Sequence, residues 1–130
     1  MLGAFSAQGT KRKRKVAKKT SFRNTTAPPH ERTVQHLRLP DRIRDNVRKR
    51  AKRHGVTMNE IQDEACTWFL KNKARRAYTK YFAPTREGAY RSLWINSRIH
   101  ERLRYVADRD YVPIARVIYT ALTLYLEETD

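Results

Sequence analysis

Val34-Gln35-His36-Leu37-Arg38-Leu39 ends on alternating apolar residues, and Pro40-Asp41 then opens a different period. Leu37 and Leu39 fall on one side of an extended chain, so this is a short strand with one face buried and with Val34, His36 and Arg38 on the other. Asp41 marks a helix start, because its carboxylate can accept from the unpaired amides of a first turn. Ile43, Val47 and Ala51 recur at helical spacing until Gly55, which stops the helix. Thr57 and Glu60 then form a capping box for a second helix whose inner face is Met58, Ile61, Ala65, Trp68 and Phe69.

The same pattern returns 56 positions later. Aligned without a gap, residues 32–70 and 88–126 share ten identities in 39 pairs, among them Leu37 with Leu93, Arg42-Ile43 with Arg98-Ile99, Ala51 with Ala107 and Leu70 with Leu126. The second strand is Tyr90-Arg91-Ser92-Leu93-Trp94-Ile95, with Tyr90, Ser92 and Trp94 outward. The next helix starts at Asn96-Ser97, where the Ser97 side chain can accept from the first-turn amides, carries Ile99, Leu103, Val106 and Ala107, and stops at Asp110-Tyr111 before Pro113. The last helix presents Ile114, Val117, Ile118, Ala121, Leu122 and Tyr125. Each copy is too small to bury its own apolar faces, and a lone strand leaves its backbone unpaired. Both problems are solved if the two strands pair antiparallel over four interlocking helices. Residues 71–88, with Arg75, Arg76, Lys80, Pro84 and Gly88, form the bridge, and Tyr78, Tyr81 and Phe82 predict that it packs on the body.

Of the 130 residues, 29 are Lys or Arg and 13 are Asp or Glu, a net charge of +16 that suits a polyanion partner. Residues 1–31 hold eight basic residues and one acidic, 32–70 nine and five, 71–88 six and one, and 89–130 six and six. The first segment reads as a disordered arm, with Lys11, Arg12, Lys13, Arg14, Lys15, Lys18 and Lys19 in one run and little that is apolar. Dense charge on a flexible arm serves to bind nucleic-acid phosphates; a localisation signal or a solubilising tail has the same composition. The single cysteine excludes an intrachain disulfide and a thiolate cage. Met1 to Gln8 lacks the order of a signal peptide, and no window approaches a membrane span. The expectation is a soluble, cytoplasmic protein without a membrane partner.

The Leu37-Arg38-Leu39-Pro40 segment, the Gly55-Val56-Thr57-Met58-Asn59-Glu60-Ile61 turn and the repeat resemble the ribbon-helix-helix family of the Arc and Met repressors. The resemblance covers residues 32–126. It implies a mainly α fold, a tandem ribbon-helix-helix pseudo-dimer with one two-stranded antiparallel β-ribbon and four helices. It further implies double-stranded DNA as partner, a ribbon that enters the major groove, and a phosphate held at the start of the second helix. On this reading Val34, His36, Arg38, Tyr90, Ser92 and Trp94 read bases, with Arg38 bidentate to guanine. Trp94 departs from the family, which places a polar or basic residue there; three readings stand, a stack on a sugar, a contact with a thymine methyl, or a slipped second strand. Arg44, Lys49, Thr57, Asn59 and Arg91 join the arm as phosphate contacts. Within the family, the basic single-chain form resembles accessory factors of bacterial DNA processing and transfer, acting beside a relaxase or other transfer proteins at a site of the T-DNA overdrive or border type.

Two rivals share much of this pattern. A transcriptional repressor or antitoxin would use the same ribbon on an operator, and an RNA-binding structural protein would use the same basic arm. Duplex RNA, whose major groove is deep and narrow, would not admit the ribbon. Catalysis finds little support: Asp63-Glu64 and Asp108 with Asp110 read as solvated charges, His30, His36, His54 and His100 show no ligand spacing with Cys66, and Cys66 lies on an apolar helix face. No cofactor and no small-molecule substrate is expected.

Overall fold

The structure, a computed structural model, describes residues 31–76 and 79–129; the basic arm and Tyr78 lie outside the described residues. Strand, helix and helix follow one another twice: β1 (Arg32–Leu39), α1 (Asp41–His54), α2 (Met58–Asn72), β2 (Ala89–Asn96), α3 (Ser97–Arg109) and α4 (Ile114–Glu128). The fold is mainly helical, with one two-stranded antiparallel sheet. His36 pairs with Ser92 at the middle of the ladder, Val34 with Trp94 and Arg38 with Tyr90. Since residue 92 lies 56 positions after residue 36, the ladder maps onto itself under the sequence offset.

Alternation places Leu37, Leu39, Leu93 and Ile95 under the ribbon, where they are buried with Ile61, Phe69, Leu103, Val117, Ile118 and Leu122. Burying a side chain of this size contributes roughly 1.5–3 kcal/mol. Cys66 is fully buried among them, and burial pushes its thiol well above the ordinary range. The inner faces read from periodicity hold, although Met58, Trp68, Ile99 and Ile114 are only partly covered.

Two helix starts differ from expectation. Asp41 caps nothing: Pro40 is the N-cap without a side-chain bond, and Asp41 instead accepts from Arg91 at 2.8 Å. In the second copy Asn96 does the capping, accepting from the amides of Arg98 and Ile99, while Ser97 Oγ meets Thr33 Oγ1 at 2.8 Å. The Thr57–Glu60 box is complete in both directions. At the C-termini the copies match in geometry but not in residue: Gly55 takes the left-handed conformation at φ 70° after α1, and Tyr111 takes it at φ 57° after α3.

The segment after α2 packs on the body, as its aromatics predict. Phe82 N–H donates to Thr120 Oγ1 at 3.0 Å, Arg116 donates to the carbonyls of Phe82 and Tyr81, and the Tyr81 ring lies against Phe69. Asp110 and Asp63 are not solvated charges. Asp110 is buried between Arg109 and the Tyr81 hydroxyl, and Asp63 accepts from Arg32 and from the Asn96 amide, each at 3.0 Å. Glu64 stays exposed but accepts from the Tyr125 hydroxyl.

Candidate nucleic-acid interface

The outer face of the ribbon is built from three cross-strand pairs, each of different chemistry. Val34 faces Trp94, an apolar pair; Trp94 keeps 48% of its surface exposed. In the middle, His36 Nδ1 and Ser92 Oγ share a hydrogen bond of 2.9 Å, which leaves the other ring nitrogen toward solvent. At the far end Arg38 lies over the Tyr90 ring, 4.6 Å from its centroid, while NH1 donates to the Gly88 carbonyl at 2.7 Å. The guanidinium is thus fixed before any ligand arrives, with other N–H groups left to donate. Tyr90 is 72% exposed. The six outward residues are the six expected from alternation.

The expected phosphate contacts are less uniform. Lys49 is exposed on α1 and Arg44 half-buried one turn earlier. At the start of α2 the capping box occupies the amides of Thr57 and Glu60, at 3.0 and 3.1 Å, so only those of Met58 and Asn59 remain as first-turn donors. Arg91 belongs to the inner face, tied to Asp41, and does not lie beside the outward row. The arm from Lys11 to Lys19 is outside the described residues. The corresponding helix start at α4 has Pro113 as N-cap and no side-chain cap.

Beneath the ribbon the two copies diverge. Gln35 and Arg91, inward and 56 positions apart, meet different partners: Gln35 Oε1 bonds His100 Nε2 at 3.0 Å, and Arg91 turns to Asp41. His100 is buried, and desolvation, with Arg104 adding, holds its imidazole below the ordinary 6.5. A groove of about 340 Å³ opens beside Arg91, lined also by Arg44, Asn59 and Gln62. Sequence reasoning missed Gln35, Gln62 and His100. The strand period already placed Gln35 inward, but the space around Gln62 depends on three elements meeting.

Compared with family models, curated proteins and solved structures, the chain finds no match. Among the described residues no helix is long and apolar enough to cross a membrane, and no group of three or more His, Cys, Asp or Glu is placed to hold a metal ion.

Proposed function

We propose that this chain binds double-stranded DNA as a tandem ribbon-helix-helix pseudo-dimer, inserting the β1–β2 ribbon into the major groove. The observation that carries the reading is the outer ribbon face: an extended row of aromatic, basic and hydroxyl side chains in which His36, Tyr90, Ser92 and Trp94 are exposed and Val34 and Arg38 partly so. A two-stranded ribbon fits the major groove, where every base pair shows a distinct donor and acceptor pattern. The pseudo-dimer reading is supported by a strand register that the 56-residue offset leaves unchanged. Arg38, stacked and anchored, donates to guanine at one end of the site; Trp94 with Val34 packs on thymine methyl groups at the other. Because the end pairs differ, the preferred site has no two-fold symmetry. Lys49 and the basic arm hold phosphates. The biological role we assign is that of an accessory factor in DNA processing and transfer at a site of the T-DNA overdrive or border type, in a bacterial cytoplasm, with a relaxase or other transfer protein alongside.

The test is selection from a random duplex library followed by affinity measurements. Arg38→Ala should cost about 1–3 kcal/mol on the selected site and far less on random duplex, whereas Lys49→Ala should weaken both alike. Equal losses for Arg38→Ala on both DNAs would remove it from base reading. A selected site with perfect two-fold symmetry would overturn the single-chain pseudo-dimer and leave strand exchange between chains as the better model, and equal competition by duplex RNA would overturn the ribbon reading itself.

A further inference from the structure

The stretch between the copies, residues 71–88, carries six basic residues and one acidic, whereas the whole second copy, 89–130, is balanced at six and six. Where this charge is held follows from the bonds that pin the stretch. Thr79 Oγ1 donates to the carbonyls of Lys73 and Arg76, Arg109 donates to the Ala74 carbonyl at 3.0 Å, the Tyr81 hydroxyl donates to Asp110, and Arg116 donates to the carbonyls of Tyr81 and Phe82. It is thus fastened to the end of α3 and the first turn of α4. The carboxylates at that corner are already engaged, Asp110 by Arg109 and Tyr81, and Glu128 by Lys73 at 2.8 Å. Arg75, Arg76 and Lys80 are exposed, and their side chains have no ion pair or hydrogen bond among the described residues. Arg75 and Arg76, with Asn72 and Lys73, line a groove of about 400 Å³.

Placement relative to the ribbon decides the partner. The start of α2 shares a groove with Tyr90 to Leu93 of β2, whereas α4 packs on β1, so the two helix pairs belong to opposite edges of the ladder. With the ribbon in the major groove, one phosphate backbone runs past each edge. On the β2 side the first copy offers nine basic residues against five acidic; on the β1 side the second copy has no excess of its own. The anchors on Arg109, Asp110 and Arg116 bring Arg75, Arg76 and Lys80 to that second side. We propose that the bridge between the copies is a second clamp on the duplex, with Arg75, Arg76 and Lys80 donating to phosphate oxygens of the backbone beside β1. This inference rests on the duplex reading and adds a contact that a pair of separate, unbridged chains would lack. Because such cations release counterions whatever the base sequence, the clamp supplies affinity and not discrimination.

The experiment substitutes all three in the full chain, Arg75→Ala with Arg76→Ala and Lys80→Ala, and measures duplex affinity between about 50 and 200 mM salt, with ethylation interference on the selected site. Exposed side chains without partners should leave the thermal midpoint where it is. The slope of log affinity against log salt should fall by about 2 to 3, and affinity should drop at least about tenfold on selected and random duplex alike. Ethylated phosphates should interfere on both flanks with the unaltered chain and on one flank only with the triple variant, while Lys49→Ala should lose the opposite flank. Arg75→Lys with Arg76→Lys should keep the full slope, since charge alone is used. An unchanged slope and interference map in the triple variant, with the unaltered chain still binding duplex, would overturn this inference alone and leave the patch to an acidic protein segment. Two duplexes held per chain, reduced to one by the triple variant, would overturn it by moving the patch to a separate duplex. No duplex binding by the unaltered chain would bring down the ribbon reading and the clamp together.

Discussion

Gly88 and Tyr111 both occupy left-handed backbone, with opposite consequences for substitution. A Cβ on Gly88, at φ 80°, would lie 2.0 Å from the Leu39 carbonyl oxygen, so the ribbon end must move to admit it. Gly88→Ala should therefore cost at least about 2 kcal/mol and release the carbonyl that anchors Arg38. Tyr111 is 94% exposed and pays for a conformation that glycine adopts freely at the matching position 55. Tyr111→Gly should gain up to about 1 kcal/mol, raising the thermal midpoint by a few degrees. Urea and thermal unfolding of the two variants check both signs. His100 gives a pH-dependent test. Its imidazole is held below 6.5 when folded, so the unfolded chain binds more protons below that value. The stability it contributes is present above about pH 6.5 and is lost as pH falls through 6.5 toward the folded value. His100→Gln keeps a donor for Gln35 and should show a smaller drop in midpoint between pH 7.5 and 5.5 than the unaltered chain. An identical drop would show that His100 does not titrate in this range.

Elements whose apolar residues repeat were legible in the sequence; contacts between distant elements were not. β1, α1 and α2 follow from Leu37, Leu39, Ile43, Val47 and Ile61, because periodicity is local and each residue announces its own face. The outward row of the ribbon was legible for the same reason. The anchoring of Arg38 was hidden because its acceptor, Gly88, is 50 residues away. Asp63 looked solvated because nothing near it in sequence announces Arg32 or the Asn96 amide. The segment between the copies shows how such long-range bonds hold an irregular stretch. Thr120, 1% exposed, receives the Phe82 amide, so Thr120→Val, of equal shape, leaves that N–H buried and unpaired. A loss of roughly 1–3 kcal/mol is expected, together with faster exchange of the Phe82 amide. Thr120→Ser keeps the bond and should protect that amide as well as the original residue does. Equal protection in both variants would rule out the hydroxyl as the fastener.

At the scale of the whole molecule, both strands of the ladder and both helix pairs belong to one chain, and residues 31–130 form one compact unit. Its thermal midpoint should not change over a hundredfold dilution, whereas an obligate dimer loses stability on dilution. A midpoint that falls would mean that strands are exchanged between chains. Joining the copies also changes how such a ribbon can be inherited. In a symmetric pair of identical chains every substitution arrives twice, and the middle position must face itself, His36 on His36 or Ser92 on Ser92. Here His36 faces Ser92, Arg38 rests on Tyr90 and Val34 meets Trp94, and no partner in these pairs is a copy of the other. A mutation at one end of the ribbon is therefore tried by itself, and a lineage can change the chemistry at one end of the outer face while the other end stays as it was.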